Sequence, residues 1–152
     1  LPWGIYLPEV WEDEFVSIQE RYKRGVFALD TALFLHDLTD RTPHKFHMAF
    51  PYGYNTSSPK AAGILCSCKK EPYYSLGIAL VDTPAGNTVR AYNAEKTLCE
   101  ILKPISHTDI QIITDAFKRY AGRKDKNIPL LSEYAHQLRV EKRLRPYLEV
   151  LL

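Results

Sequence analysis

The sequence predicts an α+β fold in which a small antiparallel or mixed sheet packs with helices and is followed by a C-terminal helical array. Segments typical of strands are concentrated between residues 45 and 92. Segments with helical periodicity precede this region and fill the last third of the chain. Because strands and helices occupy separate stretches of the chain, the pattern is typical of the α+β class.

The composition is that of an ordinary globular chain. Apolar residues make up 45% and charged residues 25% of the 152 residues, as in most globular domains. No apolar run approaches the roughly 20 residues that a membrane-spanning helix needs, so we expect no membrane partner. Three cysteines are an odd number, which favours free thiols in a reducing cytoplasm over a disulfide framework. We therefore expect a cytoplasmic protein.

The N-terminal part of the chain predicts one short strand followed by two helices. The alternating segment WGIYLP ends at Pro8 and predicts the strand. An acidic start at Asp13 favours a helix that runs to about Tyr22. A second helix is expected over residues 29–38, because its leucines and alanine recur on one side.

The middle of the chain predicts four or five strands. KFHMAF, ILCSCKK and YSLGIALV have the length and composition of strands. DTPAGNTVRAY predicts a hairpin whose turn is Ala85-Gly86-Asn87. The segment YGYNTSSPKAAG is rich in Gly, Ser, Asn and Pro, and we expect it to be a loop.

Four amphipathic helices are expected in the last third of the chain. Asn93 is a candidate N-cap for the first helix, and Pro104 follows its end. Gly122 should end the second helix, and Pro146 should kink the last one or restart it after Arg145. The four segments are AEKTLCEILK, HTDIQIITDAFKRYAG, NIPLLSEYAHQL and RVEKRLRPYLEVLL.

The connection between the second helix and the sheet carries several potential metal ligands. They are His36, Asp37, Asp40, His44 and His47. Metal ligands must converge, but this set extends across a helix end, a proline turn and a strand. We therefore interpret the connection as a structural joint, in which Asp40 and Arg41 bond locally and Pro43 sets the turn.

The three cysteines do not predict a metal site. Cys66 and Cys68 lie two apart in a predicted strand, so they share one face. Together with Cys99 they supply three thiols, whereas structural zinc sites use four ligands. Free thiols are the preferred interpretation, and we expect no metal.

One alternative function is a metal-dependent nuclease of the restriction-endonuclease-like type, using Asp82, Glu95 and Lys96. Glu95 and Lys96 are adjacent, so their side chains should point in different directions. No GxSxG, Walker or HExxH motif occurs in the chain either. We therefore expect neither catalysis nor a cofactor and keep the nuclease as the alternative.

The basic residues of the C-terminal part are the feature of the sequence that most clearly suggests a binding surface. Residues 1–75 carry eight basic and nine acidic side chains, whereas residues 76–152 carry twelve basic and nine acidic ones. Two C-terminal groups can meet a phosphate backbone or the acidic face of a partner protein, or form an ordinary solvated surface. The first group is Lys118, Arg119, Arg123, Lys124 and Lys126, and the second is Arg139, Lys142, Arg143 and Arg145.

Four segments, in this order along the chain, resemble the AbiEi family. They are TALFLHDLTDRTP, GIALVDTPAGNTVRAYNAEKTLCEIL, AFKRYAGRKDKNIPLLSEYAHQL and LRPYLEVLL. Members of that family are antitoxins and transcriptional regulators of type IV toxin–antitoxin operons, which act in viral defence by abortive infection. The resemblance extends over roughly residues 3 to 152 and includes Glu95-Lys96-Thr97 at the start of a helix.

The resemblance implies a domain organisation. Residues 1–8 would be the last strand of the wing of an N-terminal winged-helix domain. Residues 9–152 would form the antitoxin domain, with an α/β lobe at 9–93 and a helical lobe at 94–152. Since the chain starts at Leu1 and not at Met, we expect the DNA-reading helix of that domain to precede it.

The resemblance also implies partners and a set of structural residues. Operator DNA would be bound mainly through the winged helix, and the functional partner would be a nucleotidyltransferase-like toxin, not necessarily in a stable complex. Ala28 stands where the family often has a serine cap worth about 1 kcal/mol, and Asp30 is expected to take its place. The implied structural motif residues are Asp40, Arg41, Pro43, Glu95 and Thr97.

Overall fold

The computed structural model describes residues 13–151, in which five strands and seven α-helices form an α+β fold. The strands are β1 (Val26–Phe27), β2 (His47–Pro51), β3 (Leu65–Lys69), β4 (Ile78–Asp82) and β5 (Thr88–Tyr92). The helices are α1 (Glu14–Arg21), α2 (Leu29–Leu35), α3 (Ser57–Ala61), α4 (Ala94–Ile101), α5 (Ile110–Ala121), α6 (Ile128–Gln137) and α7 (Glu141–Leu151). The predicted fold class is confirmed, and the strand predicted for WGIYLP lies outside the described residues.

The five strands form one mixed sheet in the order β3-β2-β1-β5-β4. Two pairs are parallel, β2 with β3 and β1 with β5, and the other two pairs are antiparallel. The predicted hairpin is the β4–β5 pair, and Gly86 in its turn adopts φ +91°, a conformation that glycine reaches without steric cost.

The central strand β1 has only two residues, and a side-chain amide extends its pairing. Gln19 on α1 accepts a hydrogen bond from the backbone N–H of Arg90 on β5 at 2.7 Å. Its amide nitrogen donates to the carbonyls of Tyr22 and Gly25, at 3.2 and 2.9 Å. Gln19 therefore bridges β5 and the turn before β1, where the backbones themselves do not pair.

The two faces of the sheet belong to different core clusters. Because successive strand residues point to opposite faces, Phe27 lies in an aromatic cluster with Phe15 of α1, whereas Val26 packs with Tyr92 in another cluster. Helices α4 to α7 surround a third cluster, to which Leu33 of α2 also belongs. The helical array thus shares its core with α2. No helix within residues 13–151 is long and apolar enough to cross a membrane.

Two elements differ from their predictions, and the short strand β1 between α1 and α2 was not predicted. Helix α2 ends at Leu35, earlier than expected, and Asp37 follows with φ +61°. The expected loop at residues 52–63 contains α3, in which Pro59 lies buried near the helix start, where proline is tolerated because no intrahelical N–H bond is lost. Helix α7 continues through Pro146, so of the two predicted alternatives, a kink or a restart after Arg145, the restart is excluded.

The start of α4 is fastened to the loop between β3 and β4 by a buried lysine. Asn93 caps the helix, as predicted, by accepting a hydrogen bond from the Lys96 backbone N–H at 2.8 Å. The Lys96 side chain is fully buried, and its ammonium donates to the carbonyls of Tyr73 and Leu76 at 2.8 Å each. It also lies 3.7 Å from the ring centroid of Tyr92, a favourable cation–π distance.

The loop can approach Lys96 this closely because residue 77 is glycine. Gly77 has φ +83°, and a Cβ atom placed on it would lie 2.8 Å from the Cβ of Lys96. Gly53 has a similar φ of +89°, but no atom lies within 4 Å of the position of its Cβ.

We expect Gly77→Ala to lower the free energy of unfolding by about 1–3 kcal/mol more than Gly53→Ala does. Both variants strain the backbone at positive φ, but only the alanine at position 77 collides with Lys96. Urea unfolding of the two variants measures the difference. Equal losses of stability would contradict the close packing of the loop on α4.

Candidate functional site

The predicted joint after α2 connects to the helical array. The carboxylate of Asp40 lies 4.0 Å from the guanidinium of Arg119 on α5. The sequence predicts a local bond between Asp40 and Arg41. Among the described residues, Asp40 instead pairs with Arg119. The backbone N–H of Arg41 donates to the hydroxyl of Thr39 at 3.2 Å, which closes the turn locally before Pro43.

The histidines of this region have separate structural environments. Nε2 of His36 donates to the carbonyl of Tyr92 at 2.7 Å. The backbone N–H of His47 donates to the hydroxyl of Thr31 at 2.9 Å, and His44 is exposed. Within residues 13–151, no three His, Cys, Asp or Glu side chains are grouped so that they could hold a metal ion.

The three cysteines also lie apart. Cys68 is exposed, Cys66 is half-buried on the same strand, and Cys99 is buried in α4. Burial raises the pKa of the Cys99 thiol to about 12 and also raises the pKa of Cys66. Thiols of this kind are poor nucleophiles at neutral pH.

The adjacent residues Glu95 and Lys96 point to different parts of the structure. The Glu95 carboxylate accepts a hydrogen bond from the hydroxyl of Tyr120 at 2.6 Å, and that hydroxyl accepts one from the backbone N–H of Asn127 at 2.6 Å. Burial, followed by the bond to Glu95, raises the pKa of Tyr120, so the phenol remains a neutral donor. Thr97 donates to the carbonyl of Asn93 at 2.8 Å.

This geometry does not favour the nuclease alternative. Glu95 is 9% exposed and Lys96 is completely buried, whereas Asp82 is exposed at the end of β4. A metal-dependent nuclease needs its acids and its lysine around one scissile phosphate, which buried groups bonded to other residues cannot reach.

The first basic group, at the end of α5, is largely used within the fold. Arg119 bonds to Asp115 at 2.9 Å. Arg123 makes two bonds of 2.9 Å to Asp125 and donates to the carbonyl of His36 at 2.9 Å. The two arginines therefore have internal partners.

The remaining members of this group are the lysines. Lys126 donates to the carbonyl of Ala121 at 2.8 Å, whereas Lys118 and Lys124 are exposed. Lys118 and Arg119 lie in the last turn of α5, where the helix dipole favours cations. Local structure thus accounts for most of this group.

The second basic group lies where α6 meets α7 and is open to solvent. A groove of about 710 Å³ is lined by His136, Arg139, Glu141, Lys142 and Arg143. Its one acid, Glu141, lies 3.3 Å from His136. We call Arg139, Lys142, Arg143 and Arg145 the α6–α7 basic surface; all four side chains are exposed and form no ion pair within the described part of the chain.

The local structure does not explain why these cations are placed here. Arg139 lies in the short turn between α6 and α7 and adopts φ +60°. Helix α7 begins two residues later, at Glu141. Lys142 and Arg143 lie in the first turn of α7, where the helix dipole favours anions instead of cations. A bound polyanion would offset this repulsion, which makes the α6–α7 basic surface the candidate interface.

Sequence reasoning missed a second group of exposed side chains, around the ends of β2 and β3. Tyr52 is 69% exposed and Tyr73 is 38% exposed, and lysines lie beside both rings. The signal in the sequence was the segment KKEPYY, in which two lysines precede two tyrosines.

Comparison with protein-family models found no match for this chain, and comparison with curated proteins found no similar protein.

We expect Arg123→Ala and Lys124→Ala to behave differently although the two residues are neighbours. Arg123→Ala removes the bonds to Asp125 and His36 and should cost about 1 kcal/mol or more of unfolding free energy. Lys124→Ala alters an exposed side chain and should change it by less than about 0.5 kcal/mol. Thermal or urea unfolding measures both, and a neutral Arg123→Ala would show that this arginine is a free surface group.

The protein should lose stability as the pH falls below about 6.5, the ordinary pKa of histidine. Burial lowers the pKa of His36 and that of His47. The unfolded chain then takes up protons that the folded chain resists, so acid favours unfolding. His36→Gln retains a donor for the Tyr92 carbonyl but cannot titrate, so urea unfolding should show a smaller stability loss between about pH 7 and about pH 5. An unchanged loss would assign the acid sensitivity to other groups.

Proposed function

We propose that this protein is a regulatory protein without catalytic activity, the C-terminal region of an AbiEi-like antitoxin and transcriptional repressor. In this proposal it represses a type IV toxin–antitoxin operon of abortive infection and counteracts a nucleotidyltransferase-like toxin. The four colinear segments that resemble the AbiEi family support the assignment. Glu95 and Thr97, from the second of these segments, make the hydrogen bonds that hold the start of α4, in keeping with a structural motif.

The single observation that carries a binding role is the α6–α7 basic surface. Its four cations are exposed, whereas both arginines of the first basic group bond to residues within the fold. Exposed lysines and arginines that neutralise phosphates release condensed counterions, so the affinity they produce falls steeply with salt concentration. Operator DNA and an acidic face of the toxin are the proposed ligands of this surface.

The test is a double substitution, Lys142→Gln with Arg143→Gln, compared with the matched double substitution Lys118→Gln with Lys124→Gln. Each pair removes two exposed cations. Anisotropy on duplex DNA from upstream of the protein's own coding region, at about 50 and about 200 mM salt, should show weaker binding for the first pair only. The slope of log affinity against log salt should fall by about two, one for each lost phosphate contact.

Equal effects of the two pairs would mean that net charge alone sets the affinity, and would remove the α6–α7 basic surface from the proposal. A parallel assay measures growth rescue when the toxin is co-expressed. If the first pair abolishes rescue but leaves DNA binding unchanged, the surface faces the toxin. If neither activity occurs with the unmodified protein, the regulatory proposal fails.

A further inference from the structure

Two exposed tyrosines and three lysines form a separate surface around the ends of β2 and β3, the loop after β3 and the end of α4. We call it the tyrosine–lysine patch; its members are Tyr52, Lys69, Lys70, Tyr73 and Lys103. Tyr52 directly follows β2 and Lys69 ends β3. Because the two strands are parallel and adjacent, their carboxyl ends coincide, and the Tyr52 N–H donates to the Lys69 carbonyl at 2.9 Å.

The rings of the patch are exposed, and each has a lysine ammonium group over one of its faces. Tyr52 and Tyr73 are the two aromatic residues among the exposed large apolar side chains of the described chain. Nζ of Lys70 lies 4.9 Å from the ring centroid of Tyr52, and Nζ of Lys103 lies 6.0 Å from that of Tyr73. Each ring can thus offer a π-face and each lysine a positive charge at the same place.

The acidic residues near the patch already have partners. Glu100 is buried and pairs with Lys69 at 2.7 Å. Glu71 accepts hydrogen bonds from the backbone N–H and the hydroxyl of Ser75, at 3.1 and 2.6 Å. Neither glutamate forms an ion pair with Lys70 or Lys103 in the described part of the chain, so these two lysines remain available to a ligand.

The loop that carries Tyr73 is held in place by hydrogen bonds to buried residues. The Tyr73 carbonyl accepts a hydrogen bond from the Lys96 ammonium at 2.8 Å. The Tyr74 carbonyl accepts one from the Tyr92 hydroxyl at 2.7 Å. The Tyr74 hydroxyl donates to the carbonyl of Arg24 at 2.6 Å. A ring held on such a loop can receive a stacked base without first paying the entropy of ordering the backbone.

We propose that the tyrosine–lysine patch binds single-stranded nucleic acid, with unpaired bases stacked on Tyr52 and Tyr73 and phosphates near Lys70 and Lys103. Stacking platforms combined with lysines are the physical means by which proteins hold single strands. A duplex hides the faces of its bases within the helix, so the tyrosines discriminate against it. An acidic peptide would satisfy the lysines but would make no use of two exposed rings. This patch lies outside the α6–α7 basic surface, and the inference goes beyond the proposed function.

The experiment measures anisotropy of labelled oligouridylate and oligothymidylate of about ten nucleotides, and of a duplex of equal length, at about 50 and about 200 mM salt. We expect the protein to bind both single strands more tightly than the duplex at this patch. Tyr52→Leu retains an apolar side chain but loses the stacking ring, and it should weaken single-strand binding about five-fold or more. Tyr73→Leu should act in the same direction, and Lys70→Gln should lower the salt slope by about one.

The controls use exposed positions elsewhere. Lys124→Gln removes the same charge as Lys70→Gln, and Leu80→Ala alters an apolar side chain that is 74% exposed; neither should change single-strand binding. The pair Lys142→Gln with Arg143→Gln should weaken duplex binding and leave single-strand binding intact, so the two proposals fail independently. Tighter binding of one single strand over the other distinguishes RNA from DNA as the ligand.

Several results would overturn the inference. They are the absence of single-strand binding, full binding by folded Tyr52→Leu and Tyr73→Leu, and loss of single-strand binding in the Lys142 and Arg143 variant alone. Equally tight binding of polyglutamate that depends on Lys70 but not on Tyr52 would identify the patch as a site for acidic proteins instead. Urea unfolding of each variant verifies that it is folded.

Discussion

The interaction on which most of the structure depends is the burial of the Lys96 ammonium. This group bonds to the carbonyls of Tyr73 and Leu76 and lies against the ring of Tyr92. Burial lowers its pKa to about 8, because a charged amine loses water there and only partly regains hydrogen bonds. One side chain thereby joins the last strand of the sheet, the loop after β3 and the helix α4, all of whose residues are buried.

Glu95, the residue before Lys96, connects α4 to the remaining helices. Glu95 accepts from Tyr120 of α5, whose hydroxyl also accepts from Asn127 at the start of α6. Two adjacent charged residues thus serve two different junctions. A buried charge is tolerated only when it is hydrogen-bonded or paired, and these pairings fix where the helical array sits on the sheet. In the sequence, the residue types of Glu95 and Lys96 were the basis of the nuclease alternative.

Local signals predicted most of the elements and part of the candidate site. Asn93 caps α4 and Gly86 turns the β4–β5 hairpin, since these roles depend on a residue's own side chain or backbone freedom. The short helix α3 was missed because its Ser- and Pro-rich sequence has weak helical propensity, and buried Pro59 holds it in place by packing. The partner of Asp40 was missed because Arg119 is distant in the sequence.

The sequence by itself determined the fold class, most of the helices and strands, the free cysteines and the surplus of basic residues near the C-terminus. These depend on composition, periodicity and capping, which act over a few neighbouring residues. Only the tertiary structure decided which cations remain available for binding. Arg123 reaches a carbonyl and an aspartate within the fold, whereas Arg143 remains exposed. It also placed Tyr52 beside Lys69 at the ends of two parallel strands, because a contact between distant residues depends on how the chain packs and not on its local pattern.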